Sequence, residues 1–192
     1  REGRMGGCRM DAVGAIIEAA GDTRVTIAGG ITTAAEVAEL DRLGADAQVG
    51  MALYKGVLSL ADAIAAPLCS DRPDGLWPTV VVDEHGVALG LCYSNLESLQ
   101  TAVECGHGVY WSRRRGGLWR KGETSGATQK LLRIDLDCDR DALRFVVRQA
   151  GPGFCHRDTR TCWGADGGLP RLARTLAERF ESAPAGSYAR RL

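Results

Sequence analysis

The chain has 192 residues, 45% of them hydrophobic and 25% charged, which excludes wholesale disorder and a rod-like or collagen-like molecule. Its 24 basic and 24 acidic side chains cancel, so no overall field favours nucleic acid or an anionic membrane. No apolar run approaches the ~20 residues that span a bilayer, and seven cysteines without framework spacing or a secretory segment point to the reducing cytoplasm.

The opening Arg1-Glu2-Gly3-Arg4 lacks an initiator Met, which predicts a slice of something longer. Arg24–Ala28 is a β-branched run followed by Gly29-Gly30. Thr33 and Glu36 form a capping box for a helix to about Leu43, with Val37, Leu40 and Leu43 on one stripe and Gly44 placed to end it. A second strand is expected over Ala47–Gly50 and a helix over Ser59–Ala66. Strand, helix, strand, helix is α/β order with parallel strands. Glycines at the ends of parallel strands either let amides approach a phosphate or form plain tight turns, and the spacing leaves both open.

Pro67, Ser70, Asp71, Pro73, Asp74 and Gly75 mark a joint, which places a boundary near residues 68–76. Beyond it, Val80–Asp83 and Val87–Cys92 read as a hairpin turning at Asp83–Gly86. Ser94 and Glu97 form a second capping box for a helix to about Cys105, ended by Gly106. Strands follow near Val109–Ser112 and Leu131–Asp137, with another run over Ala142–Gln149. Gly168–Leu192 reads as one amphipathic helix carrying Leu169, Leu172, Leu176 and Phe180, stopped by Pro184.

Three features carry chemistry. Ser112–Gln129 packs Arg113, Arg114, Arg115, Arg120 and Lys121 among glycines, which suits a phosphate-bearing ligand, a solvated basic loop or, least well with one Trp119, nucleic acid. Asp137, Asp139 and Asp141 alternate with Cys138, so on a strand the three acids share a face; that face holds either a hard cation such as Mg²⁺ or plain solvated acids. Cys155-His156 and Cys162 lie in a Gly-rich polar stretch and, with Cys138, offer soft zinc ligands or buried thiols. Cys8, Cys69, Cys92 and Cys105 sit among apolar or small residues and are expected to be ordinary buried thiols.

Residues Thr26–Gly56 resemble the last two βα units of the ProFAR isomerase (β/α)8 barrel. That resemblance implies that Gly29, Gly30 and Gly50 hold a substrate phosphate. Arg1-Glu2-Gly3 resembles the tail of the preceding strand, with Glu2 where that family has Asp. About a quarter of a barrel is covered, so isomerase activity is not expected of this chain alone.

Ser112-Arg113, LWRKGETSG at Leu118–Gly126, D-C-D-x-D at Asp137–Asp141, and Cys155-His156 with Cys162 together resemble phosphoribosyl-AMP cyclohydrolase. Arg114 replaces a usual serine, Ala127 a usual histidine and Arg157-Asp158 a usual Thr-Gly. The resemblance implies hydrolytic opening of the N1–C6 bond of phosphoribosyl-AMP to ProFAR, the third step of histidine biosynthesis. It implies zinc on Cys138, Cys155 and Cys162, and Mg²⁺ on Asp137, Asp139 and Asp141. Arg113, Arg115, Lys121, Glu123 and Ser125 become substrate contacts, and His156 and His107 proton-transfer candidates. A homodimer with zinc ligands from both subunits is implied as well. The alternative is a catalytically decayed structural-zinc or interaction module. The tail resembles the opening helix of phosphoribosyl-ATP pyrophosphohydrolase, without that family's Mg²⁺-binding helix.

The expected architecture is α+β. Residues 1–67 form a partial barrel-like α/β segment. Residues 77–165 form a mostly antiparallel β domain with one main helix. Residues 168–192 form the first helix of a truncated third unit.

Overall fold

The Thr33 hydroxyl accepts from the Glu36 amide, and the Glu36 carboxylate reaches back to the Thr33 amide, so the first capping box starts helix α2 (Ala34–Arg42) as the sequence requires. In this computed structural model, which describes residues 6–184 and 186–188, α2 lies beside a parallel pair, β1 (Val25–Ala28) and β2 (Ala45–Gln48). β2 begins two residues before the expected strand. Helix α1 (Met10–Ala20) and the short α3 (Met51–Tyr54) were not anticipated. Val13, Ile31, Val37, Leu40 and Leu58 are buried together among these elements. Two paired strands do not make a barrel. Residues 1–3, likened to a preceding strand, lie outside the described residues.

Helix α4 (Leu60–Ala65) joins this unit to the next. Its Ala63 sits in the first core, while Ile64 and Ala65 pack on the second. Asp62 accepts from Gln100 at 3.1 Å, across to helix α5 (Leu96–Cys105). The α5 box is Asn95 with Ser98, one position later than the Ser94–Glu97 pair expected; Ser94 instead bonds Thr79 inside the core.

The second core is built on a four-stranded sheet of order β4-β3-β8-β7, from β3 (Trp77–Asp83), β4 (Ala88–Ser94), β7 (Gln129–Leu136) and β8 (Leu143–Gln149). The outer pairings are antiparallel and the central β3–β8 pairing is parallel. Leu143, Phe145 and Val147 alternate inward along β8 and meet Leu99 and Ala102 of α5. A hairpin of β5 (Val109–Ser112) and β6 (Gly117–Arg120) covers the same core, with the Tyr110 ring 5.5 Å from Phe145 and 5.8 Å from Trp119. β6 lies inside the basic, Gly-rich stretch where no strand was expected, and Arg113, Arg114 and Arg115 make the hairpin turn before it.

Helix α6 (Gly168–Ser182) stops before Pro184 as expected, while residues 189–192 of the expected helix lie outside the described residues. Its Leu169, Leu172, Leu176 and Phe180 are exposed. Among the described residues no helix is long and apolar enough to cross a membrane.

Candidate active site

Two glycine-dependent contacts shape the main cleft. Gly122 (φ +83°) follows β6, and a Cβ there would sit 2.3 Å from the Ala127 carbonyl carbon and the Thr128 nitrogen. The 122–128 segment therefore folds back tightly on itself, closed by Gly126 N–H donating to Gly122 O at 2.8 Å. On β4, a Cβ at Gly90 would fall 2.2 Å from the Phe154 ring, so the glycine leaves room for the residue just before Cys155. The segment carrying both cysteines is then pinned by its own backbone. Phe154 N–H donates to Arg160 O, Cys155 N–H to Thr159 O, and Cys162 N–H to Leu89 O of β4 at 2.8 Å.

Between these two segments lies a cleft of about 450 Å³ lined by Lys121, Ser125, Ala127, Phe154, Cys155, His156 and Cys162, with Cys92 at its base. It adjoins a shallower cleft over Leu91, Cys92 and Trp119 that ends at Ser112, Arg113 and Arg114. Three of the sequence elements expected at a site, at Ser112-Arg113, Leu118–Gly126 and Cys155–Cys162, thus meet beside β4, while Asp137–Asp141 does not line these clefts. Under the floor, Tyr110 donates to Gln129 at 2.7 Å, Gln129 to Gln149 at 2.8 Å, and Gln149 to the Ala127 carbonyl at 3.1 Å. This buried chain holds the 122–128 segment to the sheet, and no residue pattern in the sequence announced it.

The electrostatics follow from burial. Amide donation from Arg157 and a bond from Thr159 draw the Cys155 thiol below its ordinary value, while burial and the neighbouring Cys155 push Cys162 up. The two thiols are neighbours, and each acts on the other. Burial lowers Lys121, whose Nζ sits 5.3 Å over the Phe154 ring. Cys92 is raised strongly by burial.

Other expected residues fall elsewhere. The Arg113 guanidinium lies 3.7 Å over Tyr93 in the shallower cleft. Arg115 and Glu123 line neither cleft. His107 is also outside; its Nδ1 pairs with Cys105 O at 2.6 Å. Of the four cysteines expected to be buried, only Cys92 is; Cys8 and Cys105 are half-buried and Cys69 is exposed. Phe154 lines the cleft and was missed, because it looks like ordinary core; Trp119, weighed only as a stacker for nucleic acid, lines it too.

Gly29-Gly30 and Gly50 follow the paired ends of β1 and β2, so they share one end of that unit. The amides beside them are engaged by a carboxylate: Glu36 accepts from Cys8 N–H at 2.6 Å and Thr32 N–H at 2.9 Å.

Strand alternation does not gather Asp137, Asp139 and Asp141, because β7 ends at Leu136. They lie on the turn that follows, where Arg140 takes φ +65°. Their carboxylates still converge, each offering an oxygen within 4.8 Å of the others. A bond with Asp137, and then burial, raise Asp141; Asp137 itself is lowered, its burial outweighed by the Ala142 amide together with bonds from Asp141 and Asp139. Clustered oxygens of this kind fit a hard divalent cation.

The soft-ligand set fits zinc in part. Cys155 and Cys162 are neighbours, but Cys138 does not line their cleft. Cys162 is bonded to edge strand β4, and Cys138 follows β7 at the opposite edge of the sheet. Three strand spacings separate those edges by about 14 Å, whereas two thiolates on one zinc lie within about 5 Å. Within one chain the three sulfurs therefore do not share an ion.

The sequence profile of phosphoribosyl-AMP cyclohydrolase matches residues 90–164, the stretch from β4 through the cysteine segment. The phosphoribosyl-AMP cyclohydrolase of Micrococcus luteus is 46% identical over 103 residues, 53% of this chain and 79% of that protein. A histidine biosynthesis trifunctional protein of Neurospora crassa is 57% identical over 137 residues, 71% of this chain and 16% of that protein. A histidine biosynthesis bifunctional protein of Schizosaccharomyces pombe is 56% identical over 135 residues, 70% of this chain and 32% of that protein. The chain thus spans a minor part of these multifunctional relatives, and over the cleft-bearing region it belongs to the phosphoribosyl-AMP cyclohydrolase family.

Proposed function

We propose that the chain hydrolyses the adenine ring of N1-(5-phosphoribosyl)-AMP at the N1–C6 bond, giving ProFAR for histidine biosynthesis. The observation that carries this reading is the meeting of Cys155, His156, Cys162, Lys121 and Ser125 in one cleft that runs on to Arg113 and Arg114. A ring seated at the sulfur end places phosphate near the guanidinium end, where Arg forks suit it.

Zinc would be held by Cys155 and Cys162 of one chain with Cys138 of a second copy, and Mg²⁺ by Asp137, Asp139 and Asp141. Zinc in such a three-thiolate site supplies Lewis acidity and a water whose pKa is lowered towards ~7. The chain's own residues do the rest. His156, which lines the cleft, takes a proton from the water as its oxygen bonds to C6 and gives it to N1 as the N1–C6 bond then breaks, while the second water proton passes to the exocyclic nitrogen and leaves a carboxamide. Lys121, nearly buried, presents a cation to the ribose or phosphate. Ser125, held by its bond with the Ala127 amide, presents its hydroxyl to the same region. Phe154 and Trp119 exclude water from the ring's faces.

The test is metal stoichiometry and a ring-opening absorbance assay on the purified chain with Zn²⁺ and Mg²⁺. Turnover with one zinc per chain supports the reading. Stoichiometric zinc in a folded dimer without turnover would replace it with a structural-zinc module.

A further inference from the structure

We infer that the N-terminal unit is part of the site: through Asp41 it fixes the shape of the Asp137–Asp141 turn, with Arg140 as the connecting side chain. This rests on the reading of that turn as a cation site.

Asp41 is the next-to-last residue of α2 and lies 99 positions before Arg140 in sequence. The Arg140 Nε donates to both Asp41 carboxylate oxygens, at 3.1 and 3.0 Å, and Nη2 donates to Oδ1 at 2.7 Å. Nη1 of the same guanidinium reaches the Asp137 carbonyl. One side chain thus ties the first residue of the turn to a helix of another unit. The joint adds a second grip, with Cys69 N–H donating to Arg140 O at 2.9 Å and its thiol lying 3.4 Å from Asp139 O.

Two observations show why a turn of this kind needs a clamp. Arg140 and Asp158 are the non-glycine residues with positive φ among the described residues, and they sit in the acidic turn and the cysteine segment respectively. A left-handed L residue persists only where its surroundings over-determine it. Further, three converging carboxylates attract the nearest cation. Asp41 occupies the Arg140 fork, so the guanidinium does not swing onto the aspartates and compete for the place of a divalent ion. Asp41 is therefore a positioning residue acting through Arg140, and the α/β unit has a role that needs no barrel.

The experiment compares the full-length chain with Asp41→Ala, Asp41→Asn and the swap Asp41→Arg/Arg140→Asp. Amide hydrogen exchange is read in metal-free protein, and binding is read by Mn²⁺ titration. The clamp predicts that both single variants speed exchange of residues 137–142 at least about threefold while amides of β3 and β8 keep their rates. It also predicts Mn²⁺ binding weakened at least about threefold, with the swap recovering protection. If Asp41→Ala loosens α2 itself, Arg140→Lys removes the fork from the other side with the same expectation. Unchanged exchange at 137–142 overturns the clamp. A wild-type chain that binds no Mn²⁺ and opens no ring, yet shows the exchange response, overturns the cation-site reading and leaves the clamp standing.

Discussion

The Arg160 guanidinium meets the Asp83 carboxylate at 2.8 Å, and that carboxylate has no exposed surface. Asp83 ends β3, and its other oxygen accepts the amides of His85 and Val87, each at 3.0 Å. Arg160 lies between Cys155 and Cys162, so one carboxylate closes the β3–β4 turn and anchors the cysteine segment. Arg174 of α6 joins at 3.4 Å and pairs also with Asp166. Replacing Arg160 by Met should leave a buried acid short of its main partner and cost about 3 kcal/mol. Urea unfolding of the variant and the wild type checks it; a loss under about 0.5 kcal/mol would mean that Arg174 compensates.

The same acid sets a pH dependence. Burial alone would raise the Asp83 pKa, but the Arg160 Nη2 bond and the two turn amides outweigh it and hold the group below its ordinary value. A depressed folded-state pKa gives stability that is fully present above the unfolded value of about 3.9 and is lost as pH falls through the folded one. The stability difference between wild type and Asp83→Asn should be flat from neutrality to about pH 5 and shrink only in stronger acid. A difference that widens on acidification would refute the sign.

Gly90 and Phe154 give a packing test. An added Cβ would meet the ring at 2.2 and 2.8 Å, and the ring sits between β4 and the cysteine segment. Gly90→Ala should therefore push Phe154 out of place, cost about 1–3 kcal/mol and weaken zinc retention against a competing chelator. Zinc affinity equal to wild type, at reduced stability, would show that Cys155 does not depend on the seat of Phe154.

The local signals of the sequence were accurate where a short rule decides structure. The Thr33–Glu36 box, the Gly106 stop and the Asp83–Gly86 turn all formed at their places. Failures came where distant contacts overrule the local pattern. Ser94 satisfied the box rule but is claimed by Thr79 across the sheet, so the cap moved to Asn95. The acidic triplet has strand-like alternation, yet Arg140 is turned left-handed and bound to Asp41 in another unit, which no window around the triplet contains. At the site, Cys155, Cys162 and Lys121 were legible by chemistry, the roles of His156 and Ser125 only through the family resemblance, and all five line one cleft. His107 had only its closeness in sequence to the basic turn to recommend it, and its ring faces the end of α5 instead. The Tyr110–Gln129–Gln149 chain was illegible because its members look like ordinary strand residues.

That chain makes its own prediction. Tyr110 is fully buried, and its hydroxyl is the partner of the Gln129 carbonyl oxygen. Tyr110→Phe keeps the ring contacts with Phe145 and Trp119 but strands a buried acceptor, at a cost of about 1–3 kcal/mol. Because Gln149 holds the Ala127 carbonyl, the loss should also loosen the 122–128 segment and raise KM more than it lowers kcat. A variant with wild-type melting temperature and KM would show that the hydroxyl is dispensable.

The placement of the sulfurs yields the sharpest test of the proposed dimeric site. Cys162 is bonded to edge strand β4 and Cys138 follows β7 at the far edge, so one chain cannot bring them to a common ion. Cys138→Ala and Cys155→Ala should each be inactive alone. Mixed in equal amounts and allowed to exchange subunits, half the dimers are hybrids. In each hybrid one site inherits both defects and the other inherits neither. About a quarter of wild-type turnover should return, with zinc content rising in proportion. No recovery from a demonstrated hybrid would place all the ligands of a site within one chain and contradict the separation across the sheet.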